Sequence, residues 1–285
     1  MKQPALLLEF RNSLKNPWAE ELADLFLFRP VAFLFVKLLQ PLPITPNQVS
    51  FLAMAAGITG GFLFTSGDRL HFVLGAVCYG LANILDCCDG MIARLKKNGT
   101  MTGRIVDGCI DYIIGIAIYS GFAVGLTKAV HSYGLHLPGK AWFLMLLAAV
   151  SFAAHAFMSD KYRNAFLVQK RQTVESNADE SEKFHNELKR LEGLKGHFFD
   201  KTLIRIYLCY TQMQLGMSRT PKKRELLSQP VLTSPAKVVL WNFIGPSTHV
   251  SFLMLSAFLY SPMLFFIFVI GIANLWMIGL FLIRR

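Results

Sequence analysis

Six apolar runs of about 20 residues, near 47 to 66, 71 to 95, 104 to 127, 141 to 160, 238 to 260 and 262 to 283, leave this chain few ways to fold. Each is long enough to cross a bilayer as a helix. The chain has 285 residues, 53% of them hydrophobic and only 16% charged, with mean hydropathy +0.42, which is not a soluble profile. The expected class is all-α: a polytopic membrane protein with six transmembrane helices, an N-terminal amphipathic juxtamembrane helix and a cytoplasmic helical insertion. Residues 1–46 form the expected N-terminal segment and 47–285 the membrane domain, with the insertion at about 164–236. Gly245-Pro246 should kink or delay the fifth span.

The flanking pieces read differently from the spans. Residues 18 to 40, WAEELADLFLFRPVAFLFVKLLQ, mix apolar side chains with Glu, Asp, Arg and Lys around Pro30, which suits a bent amphipathic helix lying on the membrane surface better than a seventh span. Gln172 to His197 is polar and helix-friendly, a solvated helix with Gly196 suited to a helix end. The first residues lack a compact apolar core followed by a small-residue cleavage site, so no cleavable signal sequence is expected.

Basic residues set the orientation. With six spans both termini share a side, together with the 96 to 103 loop and the insertion, and that side carries all of the 29 Lys and Arg except Arg69, Lys128 and Lys140. The positive-inside rule makes it the cytoplasmic side. The net charge of +11 is then a matter of topology and attraction to anionic lipid, and nucleic acid is not an expected partner. The expected location is multi-pass in the cell inner membrane.

The second and third runs carry charge where a membrane protein usually carries none. The stretch LDCCDGMIARLKKNGTMTGRIVDGCIDY contains Asp86, Asp89, Gly90, Ala93, Arg94, Gly103, Asp107 and Asp111, spaced D-x2-D-G-x2-A-R-x8-G-x3-D-x3-D. Ionisable groups at membrane depth cost kilocalories each and mark function. At about 100° per residue, Asn83, Asp86, Asp89, Gly90, Ala93 and Arg94 fall within roughly 140° of one helix face, and Gly103, Asp107 and Asp111 recur every four residues as a narrow stripe on the next helix. A short loop makes the two helices antiparallel, so the stripes can face each other. Four carboxylates in one pocket repel unless cations lie between them. An all-oxygen set of this kind suits Mg2+ or Mn2+ and is sufficient for two ions, which about 3.5–4 Å apart can clamp a pyrophosphate. Arg94 offers a guanidinium to phosphate oxygens, the small residues allow close approach, and one carboxylate can take a proton from an incoming hydroxyl.

These eight residues resemble the signature of the CDP-alcohol phosphotransferase family, without a substitution. The resemblance implies a six-helix membrane enzyme, usually a homodimer, that attacks the β-phosphorus of a CDP-alcohol donor with an alcohol acceptor and releases CMP. By position it implies that Asp86, Asp89, Asp107 and Asp111 hold two metal ions, with Asp111 also the general base, and that Gly90, Ala93, Arg94 and Gly103 line the cytidine diphosphate. PITPNQVSFLAMAAG, residues 42 to 57, is similar to the family's opening helix and adds Asn47 to the CDP-binding set. Thr45-Pro46-Asn47 is also a plain helix start, Thr being a good N-cap and Pro a good first residue.

Other candidates carry weaker signals. Lys161 and Arg163, at the end of the fourth span, could meet a phosphorylated acceptor, or serve only as basic flanking residues. His155 and His249 read as packed, hydrogen-bonded histidines. The five cysteines form no C-x-x-C pair and read as reduced thiols, with at least one of Cys87 and Cys88 packed away from the site. An ion-coupled transporter would explain the intramembrane carboxylates but not the paired glycines, the Arg or their spacing. The motif reads only the CDP part of the donor. CDP-diacylglycerol with a polar acceptor, and CDP-inositol, CDP-choline or CDP-ethanolamine with a lipid or sugar alcohol, stay open, within phospholipid synthesis.

Overall fold

A computed structural model describes residues 5–14, 20–129, 138–169, 177–194, 196–217 and 234–282. The described residues are helical, without a strand, and six helices are long and apolar enough to span a membrane: Pro46–Phe64, Arg69–Lys96, Met101–Lys128, Gly139–Leu167, Pro235–Phe258 and Pro262–Leu282.

In chain order the helices are α1 (Ala5–Ser13), α2 (Arg29–Leu39), α3 (Pro46–Phe64), α4 (Arg69–Lys96), α5 (Met101–Lys128), α6 (Pro138–Gln169), α7 (Asn177–Glu192), α8 (Phe198–Met217), α9 (Pro235–Asn242), α10 (Pro246–Phe258), α11 (Pro262–Phe266) and α12 (Ala273–Leu282). Their starts are written in the sequence. Thr45 closes a capping box with Gln48 ahead of Pro46, Asp68 accepts from the His71 N–H, and Thr100 accepts from the Gly103 N–H. Ser234 caps α9 in the same way.

Helices α3, α4 and α5 make the tightest group. Glycine allows it. A Cβ on Gly121 would fall on the Gly61 carbonyl, so the α3 and α5 backbones meet there without side chains between them. Phe64, Phe72 and Phe122 fill the adjoining core with ring centroids 5.1 to 5.4 Å apart, Phe64 meeting the other two edge-on.

A single π-helical turn, Asp24–Phe28, leads into α2, because Pro30 has no N–H to return to the preceding turn. Phe28, Ala32, Phe33 and Val36 are buried against the bundle, and α2 lies along α4; Phe26, Leu27, Leu34 and Leu38 face outward. Residues 18 and 19 of the expected amphipathic stretch lie outside the described residues.

The fifth span is broken where Gly245-Pro246 interrupts it, into α9 and α10. Residue 164, where the insertion was expected to begin, falls inside α6, which continues to Gln169 with Tyr162 and Phe166 still buried. Within the described residues of the insertion, α7 and α8 form an antiparallel pair. Phe184 and Leu191 meet Ile204 and Leu208, and this small core closes on Ile105 of α5.

Candidate functional site

Each site side chain is placed by the α3–α4–α5 packing just described. Asp86 and Asp89 project from α4 and Asp107 from α5, and one oxygen from each lies within 4.8 Å of the others. Asp89 is buried at 5% exposure, and Asp86 and Asp107 are half-buried. Asp111 is exposed, yet it shares a side-chain hydrogen bond with Asp86. Asp111, Asp89, Asp107 and Asp24 all act electrostatically on Asp86. The four motif carboxylates are therefore brought together, three converging and the fourth at the open edge.

A cluster of acidic groups at this spacing is costly without positive charge between them. Its donor set is oxygen alone, with at least three carboxylates converging, which suits a hard divalent cation and not a soft one. Asp89 is oriented from α3, since its Oδ2 accepts a hydrogen bond from Ser50 Oγ. Sequence reading passed over Ser50. Its position, one turn after Asn47 on the same helix face, was the available signal.

Asn47 also comes to the motif. A Cβ on Gly103 would meet Asn47 Oδ1 at 2.7 Å and Thr100 Oγ1 at 2.9 Å, so only glycine admits both here. On α4 the Arg94 guanidinium lies over Gly90, with Nη1 and Nη2 at ordinary contact distance, 3.4 and 3.5 Å, from where a Cβ would stand. Ala93 is half-buried one turn from the cluster. Asn83, on the same α4 face one turn beyond Asp86, keeps a buried amide nitrogen without a hydrogen-bond partner among the described residues.

Lys161 and Arg163 diverge. Lys161 is exposed, whereas Arg163 pairs with Asp160 and acts on Glu21 and Asp24 of the juxtamembrane segment. Glu21 is 3% exposed and accepts from the Ser247 N–H at 2.8 Å, while Ser247 Oγ donates to Asp24 at 2.7 Å. Burial, with Asp24 beside it, pushes the Glu21 carboxyl up to about 8, against the opposing pull of Arg163 and the Ser247 and Thr248 N–H groups. Sequence reading passed over this pair too, because nothing local marks a carboxylate that caps a helix 226 positions away.

His155 and His249 are both buried and bonded to each other at 3.1 Å. His155 also meets Asn274 at 3.2 Å, and His249 donates to the Gly245 carbonyl at 2.9 Å. They tie α6, α10 and α12 together. Cys88 is buried and donates weakly to the Ala32 carbonyl on α2, and all five cysteines are free.

Fold and site together define a polytopic membrane protein whose intramembrane carboxylates suit a divalent cation beside an anionic ligand. Residues 43–177 match the model of the family described as CDP-alcohol phosphatidyltransferase, and this part of the chain is a domain of that family. The whole motif lies inside it. Curated relatives include the "Bifunctional IPC transferase and DIPP synthase" of Rubrobacter xylanophilus, 37% identical over 83 residues, which are 29% of this chain and 18% of the relative. The "Phosphatidylinositol phosphate synthase" of Corynebacterium glutamicum is 34% identical over 104 residues, 36% of this chain and 43% of the relative. The "Ceramide phosphoethanolamine synthase" of Drosophila melanogaster is 31% identical over 111 residues, 33% of this chain and 28% of the relative. The chain thus spans less than half the length of each of these relatives.

Proposed function

We propose that the chain is a membrane-embedded phosphotransferase that moves a substituted phosphate from a CDP-alcohol to an acceptor alcohol, releasing CMP, in phospholipid biosynthesis. The observation that carries this reading is the convergence of Asp86, Asp89 and Asp107, with Asp111 bonded to Asp86 at the open edge, within the family-matched segment. Two divalent ions, Mg2+ or Mn2+, held by Asp86, Asp89, Asp107 and Asp111, would neutralise the diphosphate and stabilise charge on its leaving oxygen.

The chain's own residues supply the rest. Asp111, the exposed member, accepts the proton of the acceptor hydroxyl. That oxygen forms a bond to the β-phosphorus, the bond from the β-phosphorus to the bridging oxygen breaks, and the bridging oxygen leaves on CMP. Arg94 faces phosphate oxygens with its two Nη atoms, and Asn47, Gly90, Ala93 and Gly103 form the wall along the cytidine diphosphate. Arg163, with Lys161 at the rim, makes the acceptor side basic. The site faces the cytoplasm, where the positive-inside rule puts this end of the bundle, in the cell inner membrane. Residues 1–46 flank the 47–285 catalytic membrane domain, which carries the 164–236 insertion and works as a homodimer in the bilayer.

Names of the relatives divide between an inositol lipid and an ethanolamine lipid, so donor identity is set by experiment. CDP-diacylglycerol, CDP-inositol, CDP-choline and CDP-ethanolamine are each offered to purified protein with Mg2+ or Mn2+ and a panel of alcohols. One donor and acceptor pair should release CMP, and Asp111→Asn should cut that rate by about 1,000-fold while the donor still binds. CMP release that survives Asp111→Asn, or cation flux through vesicles without any CMP release, would sink the reading.

A further inference from the structure

Arg94 is a motif side chain gripped from outside the spans. Its Nε donates to the backbone carbonyl of Ser13 at 2.5 Å, across 81 positions of sequence. Ser13 is the last residue of α1, and the final carbonyls of a helix have no partner inside it and sit at the negative end of its dipole. A guanidinium is a fitting cap for that end. The cap is itself enclosed: Ser13 is 0% exposed, its Oγ donates to the Phe10 carbonyl at 2.6 Å, and Leu14 is 7% exposed.

Helix α1 is in turn fastened to α2. Phe10 packs edge-on against Phe33 with ring centroids 5.3 Å apart, and Glu9 pairs with Lys37, whose ammonium lies 5.6 Å from the Phe33 ring centroid. A chain of contacts therefore runs from α2 through α1 to the guanidinium. With Nε committed to Ser13, the two Nη groups lie over Gly90, on the face that carries Asp86 and Asp89.

We infer that α1 is a positioning element for substrate binding: its terminal carbonyl at Ser13 sets the Arg94 fork so that both Nη groups face a phosphate of the bound nucleotide. The inference rests on the phosphotransferase reading above. An unanchored arginine would have to be ordered by the substrate itself, and that cost appears in binding rather than in the chemical step. Ser13 and α1 do not touch the reacting atoms; they act through Arg94.

The test uses the full chain in detergent with the donor identified by the CMP assay. Phe10→Asp, which undocks α1 from Phe33, should raise the KM for the CDP-alcohol about tenfold and leave kcat within about twofold. In an Arg94→Lys background, which lacks the fork, adding Phe10→Asp should change KM by less than about twofold. As a gentler pair, Glu9→Lys should raise KM about threefold and Lys37→Glu in the same chain should restore it. Hydrogen exchange supplies a readout free of activity: Arg94→Ala should raise amide exchange in residues 5–14. Multiplicative KM effects of Phe10→Asp and Arg94→Lys, or a fall in kcat at unchanged KM, would overturn the inference, as would unaltered exchange in Arg94→Ala. A wild-type chain that releases no CMP from any donor refutes the transferase reading, whereas normal CMP release without KM coupling refutes only the role of α1.

Discussion

Asp89 is the most enclosed of the four motif carboxylates, and its neighbour on α3 explains how it is kept there. Ser50 Oγ donates to Oδ2, so the carboxylate is oriented by a neutral group that adds no charge to a crowded site. Ser50→Ala should leave the fold intact and raise the Mg2+ or Mn2+ concentration needed for half-maximal CMP release about tenfold, since residues that orient ligands commonly contribute 10 to 100-fold. An unchanged metal titration would remove Ser50 from the site. Asp86, Asp89, Asp107 and Asp111 were legible because charged residues at helical spacing stand out in apolar runs. Ser50 was not, since a serine in a membrane helix is ordinary until the carboxylate that it meets is known.

Among the elements, the juxtamembrane segment carries the clearest pH dependence. Glu21 takes the place of an N-cap for α10, because Gly245 has no side chain to offer and a Cβ there would collide with the Glu21 carboxyl. Its carboxyl is raised from 4.5 to about 8 by burial and by Asp24. The folded state then holds a proton that the undocked segment would release, so docking is strongest below pH 4.5 and weakens as pH rises through about 8. With the intrinsic rise of amide exchange with pH removed, protection of residues 20–28 should fall over that window, by an amount corresponding to about a few kcal/mol, the order expected for such a shift. Glu21→Gln, which keeps an oxygen for the Ser247 N–H, should flatten the dependence. Protection that grows as pH rises would contradict the sign. The pattern of Pro30 and flanking charges pointed to a helix ahead of the first span, but the 226-position reach from Glu21 to Ser247 has no local signature.

At the scale of the whole molecule, the site exists because three backbones approach more closely than side chains would allow. Gly121→Leu should drive α3 from α5 at Gly61 and cost about 3 kcal/mol, read as a lowered Tm in detergent together with loss of CMP release. Gly279→Ala, with open space around its Cβ position, is the control and should be neutral or slightly stabilising. Equal tolerance of both changes would mean that this contact does not hold the site.

The presence and order of the six spans, the Thr45 cap, the break at Gly245-Pro246 and the four carboxylates were determined by sequence alone, because each rests on local chemistry: hydropathy over about 20 residues, cap residues, and a 3.6-residue period. What tertiary structure decided was which groups meet across the chain. Asn47 lies against Gly103, Ser50 holds Asp89, Glu21 caps α10, and Ser13 anchors Arg94. Such pairings depend on helix rotation and close backbone approach, which no single stretch of sequence contains, and a buried polar atom takes whichever partner the finished packing brings within hydrogen-bond reach.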